Sequence, residues 1–197
     1  MQTHFLFDVL EGYQPFEQIA EESRRDGAVI AASGLAGAQK AHLACALAAK
    51  TGRPIVFLCD SERSAAQTME DVSALMGGGV SLFPAREITF YQDVAASRDV
   101  AYRRIEAMRK LVSGEVRAIV APVDAMLHRV MPRAVFSANT ISLRVGDVLP
   151  TDQLIERLLA AGYTREYMVE GKGQFSVRGG IVDIYPADAL SAVRIEF

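Results

Sequence analysis

The sequence predicts an α/β protein in two parts: a parallel sheet covered by helices, then a smaller α+β domain whose strands run mostly antiparallel. Three observations carry that prediction. Short apolar runs alternate with amphipathic helical patterns through residue 129. From residue 130 the strands become shorter and are broken by glycines. Between the first apolar run and the first long helical pattern lies a Gly/Ala-rich turn, residues 33–41.

In the first part, a helix near 14–25 precedes an apolar run at 28–32, which reads as a buried strand. A helix over 39–50 follows, ended by Gly52 and Pro54. The run 55–59 is a second strand, and Asp60 and Ser61 are both suitable caps for a helix over 62–76. Gly77 to Gly79 stop that helix ahead of a short strand at 80–83. The pattern at 97–113 is helical, with Val100, Ala101, Ile105, Met108 and Leu111 on its apolar face. Arg98, Arg103, Arg104, Arg109 and Lys110 occupy the other face, which reads as a solvated helix surface or as a weak DNA-facing patch. A strand at 117–121 meets Pro122.

In the second part, a strand is expected at 139–145 and a helix at 152–161, capped by Thr151, with Leu154, Leu158 and Leu159 inward. Strands follow at 163–169, 174–178 and 181–185. Gly171-Lys172-Gly173 reads as a hairpin turn and Gly179-Gly180 as a bulge or kink. The alternating run 192–197 reads as a strand returning to the first domain, and its abrupt end suggests a boundary within a longer protein. The expected domains are therefore 1–129, 130–190 and the start of a return strand at 191–197.

A length of 197 residues suffices for one large domain or two small ones. The net charge of −3 gives no global basic field, so any nucleic-acid contact needs a local patch. No run reaches the length of a membrane span, and no signal peptide opens the chain, so the cytosol is the expected location and no membrane partner is expected. Cys45 and Cys59 match no zinc or redox spacing and read as buried apolar residues. No metal, cofactor or nucleophile–base constellation is expected.

The turn at 33–41 resembles a phosphate-binding loop stripped of its working parts. Gly34 and Lys40 hold the outer positions of the motif, with Gly37 between them. Gln39 stands where a second glycine would let backbone N–H groups close on phosphate, and Ala41 where a hydroxyl would bind Mg²⁺. The alternative is a Gly/Ala-rich strand-to-helix turn with no such ancestry. Neither reading expects nucleotide to be held there.

Residues 163–166, Gly173-Gln174-Phe175-Ser176-Val177-Arg178-Gly179-Gly180-Ile181-Val182-Asp183-Ile184-Tyr185-Pro186 and Val193-Arg194-Ile195-Glu196-Phe197 resemble the UvrB-homology region of bacterial transcription-repair coupling factors (Mfd). The run Ser142–Asp147 and the helix leading to Tyr163 fit the same family, and Ser64-Ala65-Ala66-Gln67 resembles a helicase segment. The resemblance implies a RecA-like, helicase-like first domain with a degenerate loop, and a second domain like UvrB domain 2. It also implies that the long damage-probing hairpin of UvrB is missing, since 83–91 runs almost directly into the next helix.

By resemblance, the module would dock UvrA in transcription-coupled nucleotide excision repair without catalysis of its own. The full-length protein would be an ATP-dependent DNA translocase that meets RNA polymerase and DNA through its remaining parts. The docking role passes by resemblance to Arg165 and Arg178, and further to Arg194 and Glu196. UvrB has an additional arginine where this chain has Ser176, which implies a weaker or differently balanced contact. From spacing alone, Arg165 and Arg178 are equally ordinary solvated strand residues. The competing functional reading is an active P-loop ATPase or helicase fragment acting on DNA, whose only support is Gly34 and Lys40.

Overall fold

The structure, a computed structural model, describes residues 5–86 and 98–197. It consists of two units, each with its own sheet. Residues 87–91 of the expected short connection at 83–91 lie outside the described residues.

The described residues of the first unit are 5–86 and 113–128. Its helices are α1 (Phe5–Asp8), α2 (Gln14–Glu22), α3 (Ala38–Thr51) and α4 (Glu62–Met76). Strands β1 (Ile55–Cys59) and β2 (Val80–Leu82) flank a third described below. Gly52, at φ 72°, ends α3 with its N–H on the Ala48 carbonyl, because a residue without Cβ enters the left-handed region at no steric cost. Ser61 rather than Asp60 caps α4: its hydroxyl accepts from the Ser64 N–H, and Ser64 Oγ accepts in return from the Ser61 N–H.

The second unit contains α5 (Arg98–Val112) and everything from residue 129 onward. Between the two stretches, β3 (Ala118–Pro122) and α6 (Val123–Met126) complete the first unit. Strand β3 is central, with β1 and β2 parallel to it on either side, and it is buried throughout. Ala41, Cys45, Val72 and Ala118 form the core beneath, joined by Phe7, Ile55 and Phe57. Burial there pushes the Cys45 thiol up to about 11.

Residues 28–32 are not a strand. They pair with no ladder among the described residues, and Val29 is 97% exposed. An apolar run becomes a strand only when an edge accepts it, and β1 has β3 as its partner. Val56 and Leu58 are exposed on the other face of β1, so that strand is not covered on both sides as expected.

The second unit continues through α7 (Arg133–Ala138), α8 (Thr151–Ala160), β4 (Thr164–Arg165), β5 (Gln174–Arg178), β6 (Ile181–Tyr185) and β7 (Val193–Glu196). The sheet order is β4-β5-β6-β7. Leu154 and Leu158 of α8 pack on Phe175, Val182 and Ile184 with Val177 and Ile195 alongside, so one sheet face is the core. Leu159, expected inward, is exposed, and Pro150 occupies the cap position expected for Thr151.

Four further expectations change here. The strand expected at 139–145 has no ladder; Ile141 and Leu143 pack on the core without pairing. Strand β4 is short and runs parallel to β5, so 171–173 is not a hairpin turn. The hairpin turn is instead Gly179-Gly180, which joins β5 to β6 as a two-residue loop with Gly179 at φ 61°. Strand β7 pairs antiparallel with β6 inside this sheet and not with the first. Its side chains meet those of β6, and that pairing settles its place within the described residues.

The basic face expected on α5 is largely compensated. Arg103 pairs with Asp99 at 2.7 Å, Lys110 with Glu106 at 2.6 Å and Arg109 with Asp188 at 2.6 Å, while Arg104 is buried. Two of these are i,i+4 pairs, which neutralise a helix face locally. No helix among the described residues is long and apolar enough to cross a membrane.

Candidate functional site

Two places were marked by the sequence, the loop at 34–41 and the outer face of the second sheet. At the loop, Gly34 adopts φ 80° and Gly37 caps α3 at φ 47°, ψ −128°, a conformation that L side chains avoid. Gln39 folds back so that its Oε1 accepts from the Ala36 N–H at 2.9 Å. The bond ties the turn to the first residues of α3. Ala41 is 3% exposed and packs in the core with Cys45 and Val72, so a hydroxyl at this position would point into apolar surroundings. Lys40 is exposed. The loop is thus tied back on itself by Gln39, with Ala41 in the core and Lys40 in solvent.

The outer face of the second sheet is set by strand register. Antiparallel partners share a face. One row across β5, β6 and β7 is Ser176–Asp183–Arg194, and the next is Arg178–Ile181–Glu196. Arg178, Arg194 and Glu196 are thus brought together. Arg165 is not: it pairs in register with Phe175, a core-facing residue, and alternation sends Arg178 to the opposite face. Arg165 is exposed at the β4 edge. Ser176, on the same face as Arg178, is 2% exposed, and its Oγ has no partner among the described residues.

The three outer-face charges differ in company. Arg194 grips Asp183 through two bonds, Nε to Oδ1 at 2.7 Å and Nη2 to Oδ2 at 3.0 Å. The hydrogen bond from Arg194, then its charge and that of Arg178, hold the Asp183 carboxyl below the usual range, and the same pair raises Arg194. Arg178 has no carboxylate within ion-pair distance among the described residues. Its Nη2 reaches the Tyr167 carbonyl at 3.5 Å, and its guanidinium lies 5.8 Å from the Tyr167 ring centre. Tyr167 is 91% exposed. Such an Arg–Tyr pair has the composition of an interface anchor.

Sequence reasoning missed Asp183 and Tyr167. No facing was read for Asp183 from the sequence, and its partner on β7 depends on a register that spacing does not give. Nothing local marked Tyr167, which lies in the connection after β4.

Residues 141–197 match the family described as the UvrB interaction domain. The chain is 34% identical over 165 residues to the transcription-repair-coupling factor of Bacillus subtilis, covering 83% of this chain and 14% of that protein. It is 32% identical over 194 residues to the coupling factor of Myxococcus xanthus, covering 94% and 16%. It is 27% identical over 203 residues to the UvrABC system protein B of Chlorobium limicola, covering 95% and 30%. The chain thus spans about one seventh of the length of the coupling factors it matches.

Proposed function

The chain belongs to the transcription-repair-coupling-factor family, as its UvrB-homology module, and from that premise we propose that it docks UvrA without hydrolysing nucleotide. The first unit serves as a helicase-like scaffold with a degenerate phosphate loop, and the second supplies the docking surface. In the whole protein, an ATP-dependent DNA translocase working in the cytoplasm, this module would bring the excision machinery to stalled RNA polymerase, while other parts contact the polymerase and DNA.

The observation that carries this reading is the outer sheet face. It offers an exposed, unpaired guanidinium at Arg178, backed by an exposed tyrosine, in the same plane as Arg194 and Glu196. Arginine suits such a surface because its planar fork makes paired bonds to carboxylates. The ATPase reading rests on Gly34 and Lys40 alone, and the Gln39 side chain occupies the loop's Ala36 N–H.

Two measurements test the proposal. Immobilised UvrA should capture the chain, and Arg178→Ala should weaken capture by an amount typical of a desolvated anchor, about 2 kcal/mol or more. Titration with Mg²⁺ and ATP should give no saturable binding. Capture indifferent to Arg178→Ala rejects the docking face, and micromolar ATP affinity rejects the closed loop.

A further inference from the structure

We infer that Asp183 is a positioning residue of the docking face: it holds Arg194 away from Glu196, so that both remain free to meet the partner. The inference rests on the UvrA-docking reading and adds a residue that the reading does not include.

The geometry is a competition between two carboxylates for one guanidinium. Arg194 and Glu196 are two apart on β7, so alternation puts their side chains on the same face. Left alone, opposite charges at that spacing on an exposed strand attract each other. Asp183 lies directly across from Arg194 in the β6–β7 register and takes it with two bonds. The Asp183 side chain is 17% exposed against 57% for Arg194, so the inner partner is the fixed one.

A bidentate carboxylate uses one Nε–H and one Nη–H of the five N–H groups on a guanidinium. The remaining donors of Arg194 are left for other acceptors, on a side chain that is 57% exposed and anchored at Asp183. Glu196 is exposed and makes no ion pair among the described residues, although its charge acts on nearby Arg194. The face therefore presents three distinct features: an unpaired cation at Arg178, spare donors at Arg194 and a free acceptor at Glu196. The matching partner surface carries an acidic side chain opposite Arg178 and a donor–acceptor pair opposite Arg194 and Glu196. Removing the Asp183 charge lets Arg194 turn onto Glu196, which consumes one donor set and one acceptor together.

Binding of the chain to UvrA, with association and dissociation rates resolved, tests this for Asp183→Asn, Asp183→Glu, Glu196→Ala and the Asp183→Asn/Glu196→Ala double variant, with thermal unfolding of each. Asp183→Asn should weaken binding about tenfold, mostly through faster dissociation. Asp183→Glu, which keeps a carboxylate in reach, should recover binding to within about threefold of the original. Glu196→Ala should weaken binding in the original chain but add little in the Asp183→Asn background. A purely structural role predicts losses that track unfolding temperature, no rescue by glutamate and additive effects with Glu196→Ala, and that pattern overturns the inference. If Arg178→Ala weakens binding while Asp183→Asn does not, the inference fails and the docking reading stands. If neither substitution matters, both fail.

Discussion

Gly173 lies against the hydroxyl end of Tyr102: a Cβ built there would fall inside the van der Waals sphere of Tyr102 Oη and 3.1 Å from Cζ. The same hydroxyl donates to the Lys172 carbonyl at 2.9 Å, so α5 is fastened to the strand entry where Gly173 N–H bonds the Tyr185 carbonyl. Gly173 also sits at φ 78°, in the left-handed region. Gly173→Ala should therefore destabilise the second unit by about 2–3 kcal/mol, about 1–2 of it from the backbone and the rest from displacing the tyrosine. In a Tyr102→Ala background the ring is gone and only the backbone cost should remain. Denaturant unfolding of the four proteins checks this; equal costs in both backgrounds would show that the ring has no part.

The register of β4 against β5 separates two arginines that the sequence had grouped. Arg165 stands beside Phe175, and Arg178 faces the other way with Tyr167 under its guanidinium. Arg178→Ala should raise the UvrA dissociation constant about 30-fold or more, in keeping with the loss of an anchor arginine. Arg165→Ala should raise it by less than about fivefold, as for a rim charge. Tyr167→Ala should behave like Arg178→Ala because it removes the support. Equal losses at Arg165 and Arg178 would mean that the partner wraps the β4 edge as well as the outer face.

Much of the fold was legible because the decisive signals were local. The 55–59 run ends at a Ser cap and leads into a 62–76 helix closed by Gly77, and all three boundaries appear as read. Strands 174–178 and 181–185 alternate cleanly around a Gly-Gly turn, and both have the expected limits. Failures came where the outcome depended on a distant partner. Residues 28–32 have the same apolar character as 55–59, yet only the latter meets β3. Residues 139–145 alternate like β7, but α7 takes up their approach and no strand adjoins them. The resemblance named Arg178, Arg194 and Glu196 without saying that they adjoin, and the register of β5, β6 and β7 is what puts them on one face. The Asp183 grip was not legible, because pairing of β6 with β7 is a matter of register.

The closed loop predicts that restoring single motif residues will harm the fold before it helps binding. Ala41→Ser buries a hydroxyl in the Cys45–Val72 core and should cost about 1–3 kcal/mol. Gln39→Gly loses the bond to the Ala36 N–H and adds a flexible residue in the first turn of α3, for about 1–2 kcal/mol in all. Neither variant, nor the pair, should bind Mg²⁺-ATP in a calorimetric titration, since the preceding run 28–32 is not held in the sheet. Saturable nucleotide binding by the double variant would show instead that Gln39 alone keeps the loop shut.

Acid should expose the Asp183–Arg194 pair. The folded carboxyl titrates below its ordinary value because Arg194 bonds it first and Arg178 adds charge. In the window between the folded and unfolded values, the unfolded chain binds the extra proton, so stability rises with pH there. The pair's contribution is complete above the unfolded aspartate value of about 4 and is lost as pH falls through the lower folded value. Arg194→Met keeps the length of the side chain and removes both bonds. It should lower stability near neutral pH and flatten the fall in unfolding midpoint that the original chain shows below about pH 4. The acid limb is shared with Glu17, held down by Lys50, and with Asp60, held down by Ser64 and Ser61, so the flattening is partial. Denaturant midpoints from about pH 6 to about pH 3 measure it. Parallel curves for the two proteins would mean that Asp183 titrates as it does in the unfolded chain, and the grip seen across β6 and β7 would then have no energetic consequence.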